Sequence, residues 1–426
     1  MSRMSCRAIA LFVVLLTIPI RAYGQFATFQ HGARGTAEAG ALTARAADAS
    51  SVFYNPAALI QLENVQIQIG CGVDLLHADY ARDDLRAFSS DSNLPASAFL
   101  AFHPVGAAIA VGVGIDSPVG FRQTDVTAAD VGPGLELAPT FEAHFREVHP
   151  VVAVRLGARW SVGGGVRYLR GWLRDDYDTV LDSGRNPNTF FVLGARSARA
   201  ETDGWSADAA IAFRDRVWGF GAVASRGAAL NGIARIDLTV RHFGLPGAPR
   251  AGTSAAYLLE DAPRGLGIDV PPEYRAGIWA APHRRMRLEG DVAFIQWAQA
   301  GWYRPREQPL CGAPCSTLLR RDWRNTISPR IGMDIDVAEH LQVIGGVAFD
   351  TSPLRAGPGG ASLTPDQPAA LSTYAGGITY DFAHVSLDAG YSFHRAGRSQ
   401  DVSGGQLSSN SHVWAVSIRW RLPWAT

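Results

Sequence analysis

The sequence lacks lysine, a net charge and any long apolar run, and each of these absences narrows the possible functions. All 39 basic residues are arginines, and they balance 39 acidic residues. Balanced charge argues against a nucleic-acid partner, because such partners are bound through an excess of positive charge. We attribute the missing lysine to a coding bias of the source organism. No stretch approaches the roughly 18 apolar residues that a membrane-spanning helix needs, so any membrane span must be made of strands.

The most apolar run, residues 8–20, is too short to span a membrane as a helix. It follows Arg3 and Arg7 and precedes Gly24. Basic residues, a short apolar region and a small residue at a cleavage point are typical of a secretory signal peptide. We expect residues 1–24 to be removed and the mature protein to be exported.

Cysteine is scarce, with four residues in the chain. Cys6 belongs to the expected signal peptide, and Cys71 falls inside a predicted strand. Cys311 and Cys315 lie in a loop rich in proline and glycine, and in an exported protein such a pair predicts a disulfide. The loop offers no further histidine or thiol for a metal site, so we expect no metal.

Alternation of apolar and polar residues is the clearest positive signal, and it is strongest between residues 385 and 422. Successive side chains of a strand point to opposite faces. One face of the last predicted strand carries only apolar side chains, which are Trp414, Val416, Ile418, Trp420 and Leu422. The opposite face carries Ser417, Arg419 and Arg421. Such strands separate an apolar from a polar environment, either in a membrane barrel or in a soluble sandwich.

The connections between strands favour the barrel. Fourteen strands are predicted, at residues 64–82, 95–103, 107–115, 141–157, 160–177, 204–214, 218–241, 272–281, 286–299, 322–336, 340–350, 371–381, 384–394 and 410–422. Tight turns alternate with long loops around residues 83–94, 116–140, 178–203, 242–271, 300–321, 351–370 and 395–409. Outer-membrane barrels have an even number of strands, short periplasmic turns and long extracellular loops. The sequence therefore predicts an all-β, 14-stranded antiparallel transmembrane β-barrel in a bacterial outer membrane, with both termini in the periplasm.

The segment before the first predicted strand has no strand pattern. Residues 25–62 are rich in alanine, glycine and threonine. A barrel of fourteen strands has a lumen too wide for its own side chains to fill, so we expect this segment to be a hatch inside it. Asn55 is expected to cap a short helix that begins at Pro56. The predicted units are thus a signal peptide (1–24), a hatch (25–62) and a barrel (63–426).

The motif Asn55-Pro56-Ala57, with its flanks at residues 32–40 and 48–59, resembles the N-terminal hatch of FadL/TodX-type outer-membrane transporters of long-chain fatty acids and aromatic hydrocarbons. Weaker similarities follow in the family order at residues 148–168, 270–274, 322–326 and 347–353. The resemblance implies a fourteen-stranded barrel, a hydrophobic groove in extracellular loops three and four, an inner pocket ended by the hatch, and an exit through the wall where strand three kinks.

The resemblance also implies roles for particular residues. The kink would lie at Pro118 and Gly120, and Asn55, Pro56 and Ala57 would pack beside it, although they could simply cap a helix within a rigid plug. Apolar loop residues could line the outer groove or pack the loops together, namely Phe190, Phe191, Leu193, Phe243, Leu245, Tyr257 and Leu258. Arg155 and Arg167 could bind a substrate carboxylate or pair with acidic side chains.

The function expected from these features is passive uptake of hydrophobic compounds, with long-chain fatty acids as the first choice of substrate. Aromatic hydrocarbons and a general diffusion porin are the alternatives. An enzyme is not expected, because the histidines are scattered and no nucleophile elbow is present. We expect no cofactor and a monomer whose partners are outer-membrane lipid, lipopolysaccharide, a hydrophobic small molecule and the barrel assembly machinery.

Overall fold

The computed structural model describes residues 30–82, 85–123, 140–181, 191–243, 257–259, 264–299, 304–305, 324–352, 370–396, 399–400 and 406–423. The expected signal peptide therefore lies outside the described residues. In these ranges no helix has both the length and the apolar character that a membrane crossing requires.

Fourteen antiparallel strands form the sheet of the described residues. They are β1 (Asn64–Arg82), β2 (Leu85–Asn93 and Ala96–His103), β3 (Ile109–Gln123), β4 (Thr140–Leu156), β5 (Trp160–Leu181), β6 (Phe191–Arg214), β7 (Trp218–Ser225 and Ala228–Phe243), β8 (Arg264–Val270 and Glu273–His283), β9 (Met286–Ile295), β10 (Thr326–Asp336), β11 (Leu341–Asp350), β12 (Leu371–Phe382), β13 (Val385–Ala396) and β14 (Gln406–Leu422). Short strands at Tyr257–Leu259, Arg304–Pro305 and Ser399–Gln400 extend this sheet.

The sheet closes on itself. Each strand pairs with the next, and β1 pairs with β14 from Val65 opposite Leu422 to Ala81 opposite Gln406. Closure leaves no unpaired edge to face lipid, which is the condition for a sheet that spans a membrane. The predicted fourteen-stranded antiparallel barrel is thus confirmed.

The predicted loops were too long at several strand ends; residues 116–123 and 406–409, for example, belong to β3 and β14. Three further stretches pair with neighbouring strands. Leu85–Asn93 pairs with β1, Phe191 to Asp203 pairs with β7, and Arg264–Val270 also pairs with β7. All three stretches were predicted as loop. The alternation of apolar and polar residues is weak there, and main-chain pairing with a neighbour holds such a stretch as a strand without that pattern.

The two faces of the wall differ as the alternation requires. On β14 the side chains of Trp414 and Val416 are exposed, whereas Ser417 and Arg419 are buried. On β9, Glu289 is buried and Val292 is exposed. The apolar face therefore points outward, and the polar face points inward.

The N-terminal segment, residues 30–63, contains three short helices. They are α1 (Gly32–Ala37), α2 (Ser51–Tyr54) and a 3-10 helix (Pro56–Gln61), and nearly all of their residues are buried. The segment contacts inward-facing groups of strands around the whole ring. The Ala33 amide donates to Ser417 Oγ of β14 (2.9 Å), and the Thr43 amide donates to Asp291 Oδ2 of β9 (2.9 Å).

Candidate functional site

Asn55 begins the 3-10 helix, as predicted. Its side-chain oxygen accepts a hydrogen bond from the Ala57 amide (3.0 Å), and Pro56 occupies the first helical position. This is the N-cap arrangement, in which a short polar side chain satisfies a free amide of the first turn. The side-chain nitrogen of Asn55, Nδ2, also donates to the Thr43 carbonyl (2.7 Å), so the motif connects two parts of the N-terminal segment.

The same motif is hydrogen-bonded to β5 and β6. Ser161 Oγ donates to the Ala57 carbonyl (2.7 Å), and Asn55 donates to the Ile211 carbonyl (3.3 Å). Gly163 is needed for this close approach, because a Cβ at that position would lie 2.7 Å from the Ala57 nitrogen. The motif thus contacts β5 and β6, and its expected position beside Pro118 and Gly120 stays a prediction.

Strand β3 contains an irregularity next to Pro118 and Gly120. Asp116 pairs with Glu147 and Val119 with Phe145, so the register with β4 shifts by one residue across Ser117 and Pro118. This is a β-bulge, a feature that bends a strand and interrupts its ladder. On the other side of β3, the pairing of the described residues with β2 ends at Ser97 opposite Asp116. Pro118 and Gly120 lie in the stretch of β3 that begins at this irregularity.

Two residues of the N-terminal segment contact the strand at the bulge. One oxygen of Asp116 accepts from the Ser117 amide (2.7 Å), and His31 Nδ1 is hydrogen-bonded to the other oxygen. The His31 ring stacks on Phe53, with 4.3 Å between the ring centroids. Phe53 in turn lies so close to β3 that a side chain at Gly114 would overlap its ring. His31 was not predicted as a site residue, because no local sequence pattern marks it.

Arg167 is engaged by acidic side chains. Its Nε lies 3.0 Å from Glu147 Oε1 and 3.3 Å from Asp208 Oδ2, and His149 Nε2 lies 3.0 Å from the same Asp208 oxygen. The Arg167 guanidinium also lies 5.9 Å from the centre of the Phe53 ring. A carboxylate that approached Arg167 would therefore compete with two acidic side chains already in place.

Arg155 stands apart from that group. It is half-buried, on the same face of β4 as the buried residues Val151 and Ala153. No carboxylate of the described residues forms an ion pair with it. Of the two arginines predicted to bind a substrate carboxylate, Arg155 is thus the one without an acidic partner among the described residues.

A second ionic cluster fixes α1 and the turn that follows it. Arg45 Nη2 lies 2.5 Å from Glu38 Oε2 and 2.7 Å from Asp334 Oδ2, and Arg45 Nε lies 2.9 Å from Glu289 Oε2. Arg34 adds bonds to Glu38 (2.9 Å) and to Asp334 (3.1 Å). Burial by itself would lower the pKa of Arg45, but the neighbouring carboxylates outweigh burial and raise that pKa above its ordinary value.

A small cavity lies where the N-terminal segment meets the wall. Its lining includes Thr36, Gly72, Pro95, Ser97 and Asp116. Pro95 stands between the two halves of β2, and Asp116 stands at the bulge of β3. The cavity thus adjoins both interruptions of the wall.

Strand pairing brings the two predicted groove loops together. Phe191 lies opposite Phe243, and Leu193 lies opposite Arg241. Tyr257 and Leu258 pair with the same strand, β7. Phe190, Leu245, Cys311 and Cys315 lie outside the described residues, so the disulfide stays a prediction. Among the side chains that are described, no three His, Cys, Asp or Glu are grouped so as to hold a metal ion.

The chain is similar to known proteins in both sequence and fold. A family model described as "Outer membrane protein transport protein (OMPP1/FadL/TodX)" matches residues 14–415. Among curated proteins, the chain is similar to NMB0088 of Neisseria meningitidis serogroup B, whose name describes an outer membrane protein. That match is 26% identical over 374 residues and covers 78% of this chain and 77% of the relative.

Several solved structures have the same fold. A FadL homologue from Pseudomonas aeruginosa superposes with a TM-score of 0.72 at 15% identity, covering 94% of this chain and all of the other. The toluene transporter TodX from Pseudomonas putida gives a TM-score of 0.68 at 13% identity, covering 93% and 99%. The toluene transporter TbuX from Ralstonia pickettii gives a TM-score of 0.61 at 13% identity, covering 93% and 100%.

Proposed function

Because the chain belongs to the outer membrane protein transport protein (OMPP1/FadL/TodX) family, we propose that it is a passive channel through which hydrophobic compounds enter a bacterium across its outer membrane. The observation that carries the proposal is the N-terminal segment, which contacts β5, β9 and β14 on their inward faces. A barrel occupied in this way is suited to molecules that leave through the wall. Transfer of the compound from water into apolar surroundings supplies the driving force, at about 0.8 kcal/mol for each methylene group buried.

Residues 25–62 act as the hatch in this proposal, and residues 63–426 form the barrel. Both termini lie in the periplasm, on the side of the short turns. The hatch is held by two kinds of contact, the buried ionic cluster around Arg45 and the hydrogen bonds of Asn55 and Ala57 to β5 and β6. These contacts support a hatch that stays folded while its contacts with β3 change.

The exit lies between β2 and β3. The recorded ladder between these strands ends at Asp116, and the small cavity beside it connects the N-terminal segment with the wall. A hydrophobic molecule that passes here moves into the apolar layer without crossing water. His31 and Phe53 are the hatch residues in contact with this part of β3, so they are the best-placed side chains to couple the hatch to the exit.

Two substrate classes fit the proposal. Long-chain fatty acids are the first, received by a groove in loops three and four and oriented by Arg155. Neutral aromatic hydrocarbons are the second, and one observation favours them. Apart from Arg155, the arginines of the described residues that are buried or face inward are largely engaged, and seven of them lie within 3.8 Å of a carboxylate, namely Arg34, Arg45, Arg167, Arg275, Arg287, Arg330 and Arg419.

An uptake assay tests the function and separates the two classes. Cells without a transporter of their own would express the wild type, Asn55→Ala or the control Asn231→Ala at equal outer-membrane levels. Asn231 is an exposed asparagine whose side-chain amide donates to the nearby Ala229 carbonyl (3.2 Å). Saturable entry of radiolabelled oleate or toluene, reduced in Asn55→Ala alone, is the expected result. Passage of sugars without entry of either compound would indicate a general porin.

The channel works as a monomer without a cofactor and without catalysis. It contacts lipopolysaccharide on the side of the long loops, and it is inserted by the barrel assembly machinery.

A further inference from the structure

Three neighbouring short turns at one end of the barrel carry a concentration of positive charge. They connect β4 to β5, β6 to β7 and β8 to β9. Five exposed arginines lie in or next to these turns, and we call them the basic rim: Arg159, Arg214, Arg216, Arg284 and Arg285.

Main-chain hydrogen bonds join the three turns into one surface. The Arg214 amide donates to the Arg159 carbonyl (2.9 Å), and the Ala281 amide donates to the Val217 carbonyl (2.8 Å). Asp215 is the acidic residue within these turns, and it lies 3.7 Å from Arg159. Five arginines against one aspartate leave an excess of four positive charges. The next acidic side chain along the rim, Asp336, is occupied by Arg287 (3.0 Å).

An aromatic ladder borders the basic rim on the outer face of the barrel. Trp160, Phe213 and Trp218 follow one another across β5, β6 and β7, with ring centroids 4.9 and 4.8 Å apart. Trp160 is 44% exposed and Trp218 is 41% exposed, although both are large apolar side chains. Tryptophan in this position is characteristic of the boundary between lipid tails and headgroups. The basic rim therefore stands at the level of the lipid phosphates.

We infer that the basic rim binds the phosphate groups of anionic phospholipids, of the phosphatidylglycerol or cardiolipin class, in the leaflet that surrounds the short turns. Guanidinium groups bind phosphate through paired hydrogen bonds, and several of them side by side attract a negatively charged surface. The inference rests on the membrane placement in the proposed function. Continuity with the aromatic ladder and the apolar wall favours a lipid over a soluble acidic protein.

Native mass spectrometry of the full-length protein tests the inference. The protein would be purified in detergent, delipidated and titrated with phosphatidylglycerol or with zwitterionic phosphatidylcholine. The test variant is Arg216→Gln/Arg284→Gln/Arg285→Gln. A matched control removes three exposed arginines remote from these turns, as Arg170→Gln/Arg199→Gln/Arg395→Gln. Heat-modifiable migration on gels would establish that each variant is folded.

We expect the wild type and the control to retain phosphatidylglycerol in preference to phosphatidylcholine. The test variant should bind phosphatidylglycerol about tenfold more weakly or worse, since each arginine contributes separately to the attraction. Equal retention of the two lipids by the wild type would overturn the inference and would leave an acidic periplasmic protein as the partner to seek. An equal loss in test and control variants would overturn it as well. No transported compound is used, so either failure is distinct from a failure of the uptake assay.

Discussion

Phe53 is the residue whose replacement should loosen the N-terminal segment most selectively. Its side chain is 1% exposed and stacks on His31, with 4.3 Å between centroids. It also meets the edge of Phe99 at 5.8 Å and lies 5.2 Å from the His149 ring. These contacts connect α2 with β2, β3 and β4. Phe53→Ala removes all of them and leaves every strand pairing intact.

The size of the effect follows from the burial of the ring. A phenylalanine truncated to alanine in a packed core costs about 3–5 kcal/mol. Because the lost contacts join the segment to the wall, we assign the cost to local opening of the segment and not to unfolding of the barrel. A loss of about 3 kcal/mol makes the opened form roughly a hundredfold more populated.

Hydrogen–deuterium exchange measured by mass spectrometry tests this expectation. Peptides from residues 30–62 should exchange roughly a hundredfold faster in Phe53→Ala than in the wild type, while peptides from β9 to β14 keep their protection. Phe102→Ala is the control, because Phe102 lies on β2 with its side chain on the face opposite the buried Phe99. Unchanged exchange in residues 30–62, or equal acceleration throughout the barrel, would refute the reasoning.

Two further replacements probe how the segment is held. A Cβ at Gly163 would lie 2.7 Å from the Ala57 nitrogen, so Gly163→Val should displace the 3-10 helix and increase passage of small sugars in liposome swelling assays. Gly290→Val is the control, since a Cβ there has no atom within 4 Å. Equal swelling rates of the two variants would contradict the packing of the 3-10 helix against Gly163 of β5. Arg45→Gln leaves three buried carboxylates short of a partner and should destabilise the segment by about 3–5 kcal/mol, seen as faster exchange in residues 30–62. Arg159→Gln is the control and should lower stability by less than about 1 kcal/mol, because the Arg159 side chain is 58% exposed in its ion pair with Asp215. Equal losses of stability in the two variants would contradict a stabilising role of the buried cluster.

The strands could be predicted where lipid imposes a pattern. On β13 and β14 every second residue meets lipid, so alternation defines both the strand and its register. The same signal is weak in Leu85–Asn93, a polar stretch held by main-chain pairing with β1. Strand number and order were therefore predictable, and the lengths of the strands toward the long loops were not.

The candidate site was predictable only where its chemistry is local. Asn55 and Pro56 are neighbours in sequence, and their cap on the 3-10 helix follows from residue type alone. The contact between His31 and Asp116 joins residues 85 positions apart, and it exists only because the closed barrel surrounds the segment. The inward position of Arg167 followed from alternation, but its pairing with Glu147 and Asp208 depends on the register of β4, β5 and β6.

The most direct test of the account is the conductance of the purified protein in planar lipid bilayers, compared with a variant that lacks residues 30–62. If the N-terminal segment closes a wide barrel to polar solutes, the wild type should carry little steady ion current. The folded deletion variant should show a large, stable conductance. A wild type that conducts ions as freely as the deletion variant would contradict a hatch and with it the proposed route for hydrophobic compounds.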